Sequence, residues 1–386
     1  MWPSEVVVRV VISPKRVFHA VLMANELDAA GYATRIYSVA TARYFRQLNA
    51  RTELRLAPLP LAQSSSALRM PHGDAGDRID SVMLDHYVAR RLASAKADIF
   101  VGLAGSSLAS GRRARRNGAS FVLDRACPSV RFQQELLRRE CETHGFKRRL
   151  QPEWFVARQE AEYDAADVIL CPSRYSADSF PPALSDKVVV APLLGRAVTL
   201  VSPRPRQEGR FIVGIVGGEV IRKGYVYLLK AWRRLGIPGA VLRIRSRAVA
   251  REPVLTPLLD DTIEIVDYVD DIADFYAQCD AFILSSIDDG FGMAAFEAMA
   301  CGVPTVMTRR CGAAELVEHG VTAHVIDAFS EDAIIDALQH LAGDRDYREA
   351  LGRAGQALIT RLSGKPGDSI YAKSLVGALA TLPGRA

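Results

Sequence analysis

The sequence predicts an α/β protein built from two doubly wound, parallel-sheet domains that face a cleft. Three observations lead to this prediction: short β-branched runs alternate with helical periods, most of these runs are apolar throughout, and a stretch containing prolines divides the alternation into two series. Continuous apolar runs are typical of parallel strands that are buried on both faces. Repeated strand–helix–strand units imply parallel sheets with helices on both sides.

The first series begins with a strand predicted at 6–12 and a helix predicted over 15–30, which Gly31 ends. Apolar residues recur in this helix with helical spacing, and glycine is the usual residue just after a helix. The further strands predicted in this series are 35–39, 99–103, 120–124, 168–171 and 188–191. We assign residues 1–195 to a first domain, on one side of the cleft.

The stretch over 192–210 contains Pro203 and Pro205 and has little periodicity, which favours a linker. The predicted boundaries are a linker at 196–210, a second domain at 211–362, and a C-terminal helix within 363–386 that either stays on the second domain or returns to the first. The predicted strands of the second domain are 211–216, 241–245, 263–266, 281–285 and 303–307, and its predicted helices are 225–235, 272–278 and 293–301, followed by a helical tail from 331.

The composition excludes several classes of protein. Of the 386 residues, 49% are hydrophobic, which is enough to bury large cores without disulfides or structural metals. No uninterrupted apolar stretch approaches the roughly 20 residues that span a bilayer, so a polytopic membrane protein is excluded. The first residues lack the basic and apolar regions of a signal peptide. Six cysteines without a C-x-x-C pair favour free thiols in a reducing cytoplasm.

The net charge of +5 is modest, but basic residues are clustered at 112–116, 138–139 and 147–149. These clusters are either solvated helix faces or a docking surface for anionic lipid or for a phosphate-bearing acceptor. Nucleic acid is not expected as a partner, because no stacking aromatic residues are interleaved with the basic ones. We therefore expect a cytoplasmic protein, with peripheral attachment to the inner face of the membrane left open.

The segment around Asp289 and Glu297 carries the most chemical information. A strand ends just before it, a turn with Gly290 and Gly292 follows, and a helix begins near Met293. The free N–H groups and the positive dipole end of such a helix bind anions such as a diphosphate. The two carboxylates lie on the same end of this helix, where one can accept hydrogen bonds from sugar hydroxyls and the other from ribose hydroxyls. The alternative is that they are ordinary helix-end and solvated acids.

This segment resembles the acid-x7-acid signature of retaining glycosyltransferases of family 4, which have the GT-B fold. The family pattern is E-G-F-G-L-x-x-x-E-A-M-A-x-G-x-P. The matching residues are Gly290, Phe291, Gly292, Glu297, Ala298, Met299, Ala300, Gly302 and Pro304. The chain departs from the pattern at the first acid, where Asp289 replaces glutamate, and this departure bears on the preferred donor sugar.

A second segment is similar to the first strand and loop of the family's donor domain. The family pattern G-R-x4-K-G places a lysine on the donor diphosphate, and Lys223 matches that lysine. Gly218 stands where the family has an arginine. The candidates that would replace this missing cation are Arg222, Arg245 and Arg247.

Weaker resemblances complete the expected site. Tyr268 and Val269 follow a strand end where family members hold the nucleotide base. Asp124 and Arg125 stand at a strand end where many members have a histidine that faces the donor sugar, and the alternative is a buried Asp124–Arg125 structural pair. The residues expected at the acceptor are His19, Ser173 and Arg174.

The resemblance implies a retaining glycosyltransferase that moves a sugar from a nucleoside-diphosphate sugar, of the UDP or GDP type, to a glycan, glycolipid or small-molecule acceptor in cell-surface polysaccharide assembly. It implies front-face attack, in which the leaving phosphate takes the acceptor's proton, with no metal and no other cofactor. The residues expected to be catalytic are Asp289, Lys223, Asp124 and Arg125. The residues expected to bind the donor are Gly217, Gly218, Arg222, Lys223, Tyr268, Val269, Asp289, Gly290, Phe291, Gly292, Met293 and Glu297.

Two other functions remain open on the sequence. Glycines after the strand at 211–216, with Arg245 and Arg247 at the end of the next strand, are also compatible with an NADP-dependent oxidoreductase. The departures at Gly218 and Asp289 are compatible with a pseudoenzyme that binds a sugar nucleotide and needs a partner subunit. The oxidoreductase hypothesis leaves the pairing of Asp289 with a second helix acid unexplained.

Overall fold

The structure, a computed structural model, describes residues 7–15, 19–40, 42–57, 74–194, 210–267 and 271–382. Within these ranges the chain forms two parallel sheets, one of seven strands and one of six. Alternate residues of β1 pack into different apolar clusters, Val10 and Ile12 into one and Val11 into another. The first sheet is therefore buried on both faces, as its apolar runs predict.

The first sheet has the strand order β3-β2-β1-β4-β5-β6-β7. Its strands are β1 (Arg9–Ser13), β2 (Ala33–Ser38), β3 (Glu53–Leu56), β4 (Ile99–Leu103), β5 (Ser120–Asp124), β6 (Val168–Cys171) and β7 (Val188–Val190). The helices of this domain are α1 (Ala20–Ala29), α2 (Asp74–Leu92), α3 (Leu108–Arg116), α4 (Val130–His144), α5 (Glu153–Ala165) and α6 (Arg174–Ala177).

The second sheet has the strand order β10-β9-β8-β11-β12-β13. Its strands are β8 (Phe211–Val216), β9 (Ala240–Arg245), β10 (Ile263–Ile265), β11 (Ala281–Leu284), β12 (Thr305–Thr308) and β13 (His324–Ile326). The remaining helices are α7 (Tyr225–Leu235), α8 (Arg247–Arg251), α9 (Ile272–Tyr276), α10 (Met293–Ala300), α11 (Glu331–Gly343), α12 (Arg345–Ser363) and α13 (Ile370–Ala380).

Each sheet has a point at which the strand order reverses, between β1 and β4 in the first sheet and between β8 and β11 in the second. In open α/β sheets, ligands bind in the crevice beside such a point, at the carboxyl ends of the strands. The segments that follow β1, β5, β8 and β11 contain most of the predicted site residues. The topology therefore places these segments at the carboxyl ends of the strands, beside the switch point of each sheet.

The predicted bounds agree with the structure for β4, β5, β6, β8 and α7, and elsewhere they differ mostly at element ends. The largest difference is at α1, which begins at Ala20 rather than at 15, with 16–18 outside the described residues. Strand β3 was missed, because it is a short, largely exposed edge strand in which charged residues alternate with leucines. The predicted linker lies outside the described residues except for Arg210, and the two sheets end and begin on either side of it.

The C-terminal segment returns to the first domain, where α13 packs against α1. The buried carboxylate of Glu26 on α1 accepts hydrogen bonds from the Gly367 N–H at 2.6 Å and from the Ser369 hydroxyl at 2.9 Å. These two hydrogen bonds join the start of the C-terminal segment to α1. All six cysteines are free thiols. None of the helices within the described ranges has the length and apolar composition needed to cross a bilayer.

Three histidines meet at the start of β13, the strand that His324 begins. The ring centroids of His319 and His324 are 4.8 Å apart, those of His324 and His340 are 6.0 Å apart, and the His340 ring stacks on Tyr347 at 4.2 Å. Burial and the two neighbouring imidazoles lower the pKa of His324 to about 4. The pKa of an unfolded histidine is about 6.5, so the folded chain resists protonation here.

We predict that acidification destabilises the fold through this histidine cluster. As the pH falls from about 6.5 to about 4, the unfolded chain binds more protons at His324 than the folded chain does, so the free energy of unfolding decreases. Urea unfolding at a series of pH values, with His324→Gln beside the unmodified protein, measures this effect. The variant should lose less stability across this window, and an equal loss in both proteins would locate the acid sensitivity elsewhere.

Candidate active site

A cavity of about 980 Å³ lies between the two domains, at the carboxyl ends of their strands. From the first domain it is lined by His19, Asp124 and Arg125. The predicted site residues that line it from the second domain are Gly217, Arg222, Lys223, Asp289, Phe291, Gly292, Met293 and Glu297. Segments that are more than 250 residues apart in the chain therefore share one cavity.

Four predicted residues lie outside this cavity lining: Gly218, Gly290, Ser173 and Arg174. A Cβ atom at Gly290 would lie 2.3 Å from the carbonyl oxygen of Ala126, so this glycine admits the backbone of the first domain rather than a ligand. This corrects the expectation that it gives a ligand access to the backbone. Tyr268 and Val269, expected at the nucleotide base, lie outside the described residues.

Ser173 and Arg174, expected at the acceptor, instead contact the second domain. The buried Ser173 hydroxyl donates to the carbonyl oxygen of Gly290 at 2.7 Å. The backbone N–H of Arg174 donates to the Glu315 carboxylate at 2.7 Å, while its own side chain is exposed. Both residues therefore take part in joining the domains.

Lys223 and Asp289 form an ion pair on the wall of the cavity. Lys223 Nζ donates to Asp289 Oδ2 at 2.5 Å, and the two side chains are 17% and 15% exposed. Burial raises the pKa of Asp289, but the charges of Lys223 and Arg222 and the hydrogen bonds from Lys223 and from the Phe291 N–H outweigh burial. The pKa of Asp289 therefore lies below its usual value, and its carboxylate is ionised at neutral pH.

Two glycines shape the loop that carries Lys223. Gly224 has φ of 65°, and a Cβ there would lie 2.1 Å from the carbonyl oxygen of Ser285, so only glycine lets the loop approach the end of β11. A Cβ at Gly217 would lie 2.8 Å from Lys223 Cε, so this glycine makes room for the lysine side chain. A Cβ at Gly218, in contrast, meets no atom within 4 Å.

Helix α10 points its N-terminus into the cavity. Gly292, with φ of 89°, precedes its first residue, and the cavity is lined by Gly292, Met293 and Ala294. The unpaired first-turn N–H groups and the positive dipole end give this wall an affinity for anions. One turn into the helix, Glu297 Oε2 accepts a hydrogen bond from the Tyr276 hydroxyl at 2.7 Å. The acid that the sequence singled out on this apolar helix thus has a partner and still faces the cavity.

Asp288, which sequence reasoning missed, is fully buried beside Asp289. Its carboxylate accepts hydrogen bonds from Arg222 Nε at 2.9 Å, from Gln133 Nε2 at 2.7 Å and from the Tyr175 hydroxyl at 3.0 Å. Since Gln133 and Tyr175 belong to the first domain, this acid joins the two domains. The signal in the sequence was a pair of successive acids after a strand, of which only the second matched the family pattern.

Of the three candidates for the missing cation, Arg222 alone lines the cavity among the described residues. Its Nε is held by the buried carboxylate of Asp288. Arg247 is paired with Asp267 on the surface, and neither it nor Arg245 lines the cavity. The arginines that the oxidoreductase hypothesis needs are therefore not directed at this site.

The wall contributed by the first domain contains a His19–Asp124 pair, with Nε2 and Oδ2 2.5 Å apart. Burial lowers the pKa of His19, but the charge and hydrogen bond of Asp124 outweigh it, so the pKa is raised. Arg125 donates to the carbonyl oxygen of Pro128 and to Gln159. The Asp124–Arg125 pair considered above is thus replaced by His19–Asp124, and Arg125, expected to be catalytic, uses its donors to hold its own loop.

Further polar residues on this wall were not singled out from the sequence. Asn25, Gln47 and Asn49 line the cavity. Asn25 Nδ2 donates to the carbonyl oxygen of Gln47 at 2.8 Å, and Asn25 Oδ1 accepts from the Asn49 N–H at 2.9 Å. The available signal was a polar residue within the apolar period of α1. In the part of the chain that the structure describes, no three His, Cys, Asp or Glu side chains are grouped so as to hold a metal ion.

Residues 201–358 match the family glycosyl transferases group 1. The chain is 24% identical over 156 residues to the capsular polysaccharide biosynthesis glycosyltransferase CapM of Staphylococcus aureus, which covers 39% of this chain and 41% of that protein. It is 32% identical over 187 residues to the D-inositol 3-phosphate glycosyltransferase of Paenarthrobacter aurescens (strain TC1), over 46% of this chain and 45% of that protein. The matches thus span less than half the length of these relatives.

The structure is similar to the crystal structure of Anabaena Alr3699/HepE in complex with UDP. The TM-score is 0.67 at 16% sequence identity, over 97% of this chain and 100% of the other. At this identity the likeness bears on the fold, which is GT-B, with two parallel-sheet α/β domains. The fold class predicted from the sequence is confirmed.

Proposed function

We propose, from the match of residues 201–358 to the glycosyl transferases group 1 family, that this protein moves a sugar from a nucleoside-diphosphate sugar to an acceptor hydroxyl. The observation that carries the proposal is the convergence of Lys223, Asp289, Glu297 and the N-terminus of α10 on one cavity between the domains. A cation and a helix N-terminus suit a diphosphate, and two carboxylates suit two sets of hydroxyls.

The donor is assigned to the second domain. Lys223 and the first amides of α10 hold the diphosphate, Asp289 accepts hydrogen bonds from the sugar, and Glu297 accepts them from the ribose. Asp289 lies in the turn before the helix, nearer the reacting end, and Glu297 lies one turn inside. UDP is the first nucleotide to test, because the similar Anabaena protein was crystallised with it; GDP is the second.

The acceptor is assigned to the first domain. His19, held by Asp124, faces the donor wall across the cavity, and Asn25 and Gln47 offer neutral groups for further hydroxyls. In a front-face reaction the acceptor oxygen bonds to the anomeric carbon while the bond to the diphosphate breaks, and the leaving phosphate oxygen takes the acceptor's proton. Catalysis then consists of positioning and charge stabilisation, and the anomeric configuration is retained.

We predict transfer from a UDP- or GDP-sugar in buffer that contains EDTA, because the diphosphate charge is assigned to Lys223 and α10 rather than to a metal. The measurement is acceptor-dependent release of the nucleoside diphosphate, with product stereochemistry read by NMR. Strict dependence on added Mg²⁺ or Mn²⁺ would contradict the metal-free assignment. Tight nucleotide binding without turnover, across a panel of glycan and glycolipid acceptors, would favour the pseudoenzyme.

The affinity of the protein for UDP or GDP should rise with the number of cations beside the diphosphate. Lys223→Ala should weaken binding by about 1.5–3 kcal/mol, the scale of a charge-assisted hydrogen bond. Gly218→Arg places a cation where the family has one, in a position where a side chain meets no neighbour, and should strengthen binding. Isothermal titration calorimetry measures both changes.

Two controls isolate the charge. Gly218→Gln adds a side chain at the same position without charge and should leave affinity unchanged. The bare nucleoside, which lacks phosphates, should bind Lys223→Ala and the unmodified protein equally. If the nucleoside loses as much affinity as the diphosphate, Lys223 does not belong to the phosphate site.

We predict that Asp289 binds the sugar of the donor and that Glu297 binds its ribose. Asp289→Asn should lower turnover without weakening the bare nucleoside diphosphate, since that molecule has no sugar and the substitution frees Lys223 from its carboxylate partner. Glu297→Gln should weaken the nucleoside diphosphate through the ribose. Calorimetry on the two variants compares these effects directly, and an equal loss of affinity in both would overturn this assignment.

A further inference from the structure

A second concave surface, on the first domain, is lined by basic side chains. This arginine groove of about 650 Å³ runs between α2 and α3 and reaches the end of α5. Its lining residues are His86, Ala89, Arg90, Ala109, Arg112, Arg113, Arg115, Arg116 and Ala165. Five guanidinium groups thus face one groove, which carries no carboxylate among its lining residues.

Apart from Arg115, the arginines of this groove lack the acidic partners that the arginines of α4 have among the described residues. On α4, Arg138 pairs with Glu135 and Glu142, and Arg139 pairs with Glu135. In the cluster at 147–149, Arg148 pairs with Glu219 of the second domain. Acidic partners therefore neutralise the cluster at 138–139 and one residue of the cluster at 147–149.

Four arginines of the groove keep their charge uncompensated within the described residues: Arg90, Arg112, Arg113 and Arg116. Arg115 is the exception, since it lies 3.2 Å from Asp167. Arg113 also has a buried Nε that finds no hydrogen-bond partner in the part of the chain that the structure describes. A bound water or an anion would satisfy such a donor, and the positive charge of the groove favours an anion.

The dipole of α3 explains only part of this arrangement. Cations near a helix C-terminus are stabilising, which accounts for arginines in the last turn of α3. The dipole of α2 accounts in the same way for Arg90, which lies in the last turn of that helix, but neither dipole accounts for Arg112, which precedes the last turn of α3. The N-terminus of α3 is already occupied by carboxylates, since Asp85 accepts from the Ala109 and Ser110 N–H groups at 2.7 Å. The anion-binding capacity therefore lies at the arginine groove and not at the helix start.

The groove is separate from the cavity between the domains. No residue lines both. Ala104, just before α3, lines the cavity, whereas Arg112 and Arg116 lie towards the other end of the helix. The nine residues of α3 alone span about 13 Å, so the phosphate of a small substrate in the cavity does not reach these arginines. This excludes the groove as a subsite for the donor or for a compact phosphorylated acceptor.

We propose that the arginine groove docks this protein on an anionic lipid bilayer, whose phosphate head groups pair with its guanidinium groups. Arg112, Arg115 and Arg116 are exposed, so they can meet an extended surface of separate head groups as well as fill a groove. The attraction is electrostatic, because none of the large exposed hydrophobic residues borders the groove. This inference goes beyond the proposed function and does not depend on it.

The test compares two double variants that remove the same charge. Arg112→Gln with Arg116→Gln removes two cations from the groove, and Arg138→Gln with Arg139→Gln removes two cations that are paired on α4; each lowers the net charge of +5 by two. Cosedimentation at low salt uses vesicles of phosphatidylcholine with phosphatidylglycerol, and of phosphatidylcholine alone. Thermal melting first confirms that both variants are folded.

The unmodified protein and the α4 variant should bind the anionic vesicles and be released by high salt. The groove variant should bind roughly thirtyfold more weakly, from about fivefold for each basic residue near the surface. Equal losses in both variants would show attraction by net charge and overturn the groove. Absent or salt-independent vesicle binding would overturn the proposal as well.

Guanidinium groups also bind phosphate groups of free, soluble anions, and a separate experiment tests this ligand. Calorimetry with inorganic pyrophosphate is run on the unmodified protein and on both double variants. Groove-dependent binding of pyrophosphate by a protein that ignores the vesicles would replace the bilayer by a soluble phosphate. If the groove variant loses affinity for a single-stranded oligonucleotide but not for the vesicles, nucleic acid would replace the bilayer as the partner of the groove.

Discussion

The position of the cavity wall depends on one buried carboxylate, that of Asp288, which is one of several contacts between the domains. A buried charge is tolerated only when it is paired and hydrogen-bonded, and this carboxylate accepts hydrogen bonds from Gln133 and Tyr175 of the first domain and from Arg222 of the second. The next residue, Asp289, faces the cavity. A single turn therefore supplies both an interdomain contact and a cavity-facing acid, so the position of the cavity wall is coupled to the way the domains pack.

The strand order explains why two distant segments form one wall. Because β8 and β11 are neighbours at the switch point, the loops that follow them meet: the Ile287 N–H donates to the carbonyl oxygen of Arg222 at 2.9 Å, and the Ser285 hydroxyl donates to that of Lys223 at 2.8 Å. Gly224 permits this approach. The Lys223–Asp289 ion pair follows from this contact between the two loops, since one loop carries Lys223, the other carries Asp289, and both side chains line the same cavity.

Local patterns in the sequence predicted the features that depend on interactions between residues close together in the chain. The strand at 120–124 and the helix at 225–235 follow from apolar runs and helical spacing, and the resemblance to family 4 indicated Lys223 and Glu297, which line one cavity. Contacts between elements were not accessible in this way. Ser173 matched an expected acceptor position but bonds to Gly290 across the domain interface, and His324 meets His340 only because β13 packs against α11.

The charge on the cavity wall of the second domain adds a last constraint. Among the described residues, the cations that line this wall are Arg222 and Lys223, and each is paired with an acid, Asp288 for the first and Asp289 for the second. Under the proposed function, a diphosphate that enters the cavity competes with Asp289 for Lys223, and backbone amides at the start of α10 meet its remaining charge. An arginine at position 218, where the family pattern has one, would add a third cation and relieve this competition. The chain has glycine there, so the proposed function assigns a larger share of donor binding to the α10 amides than the family pattern implies.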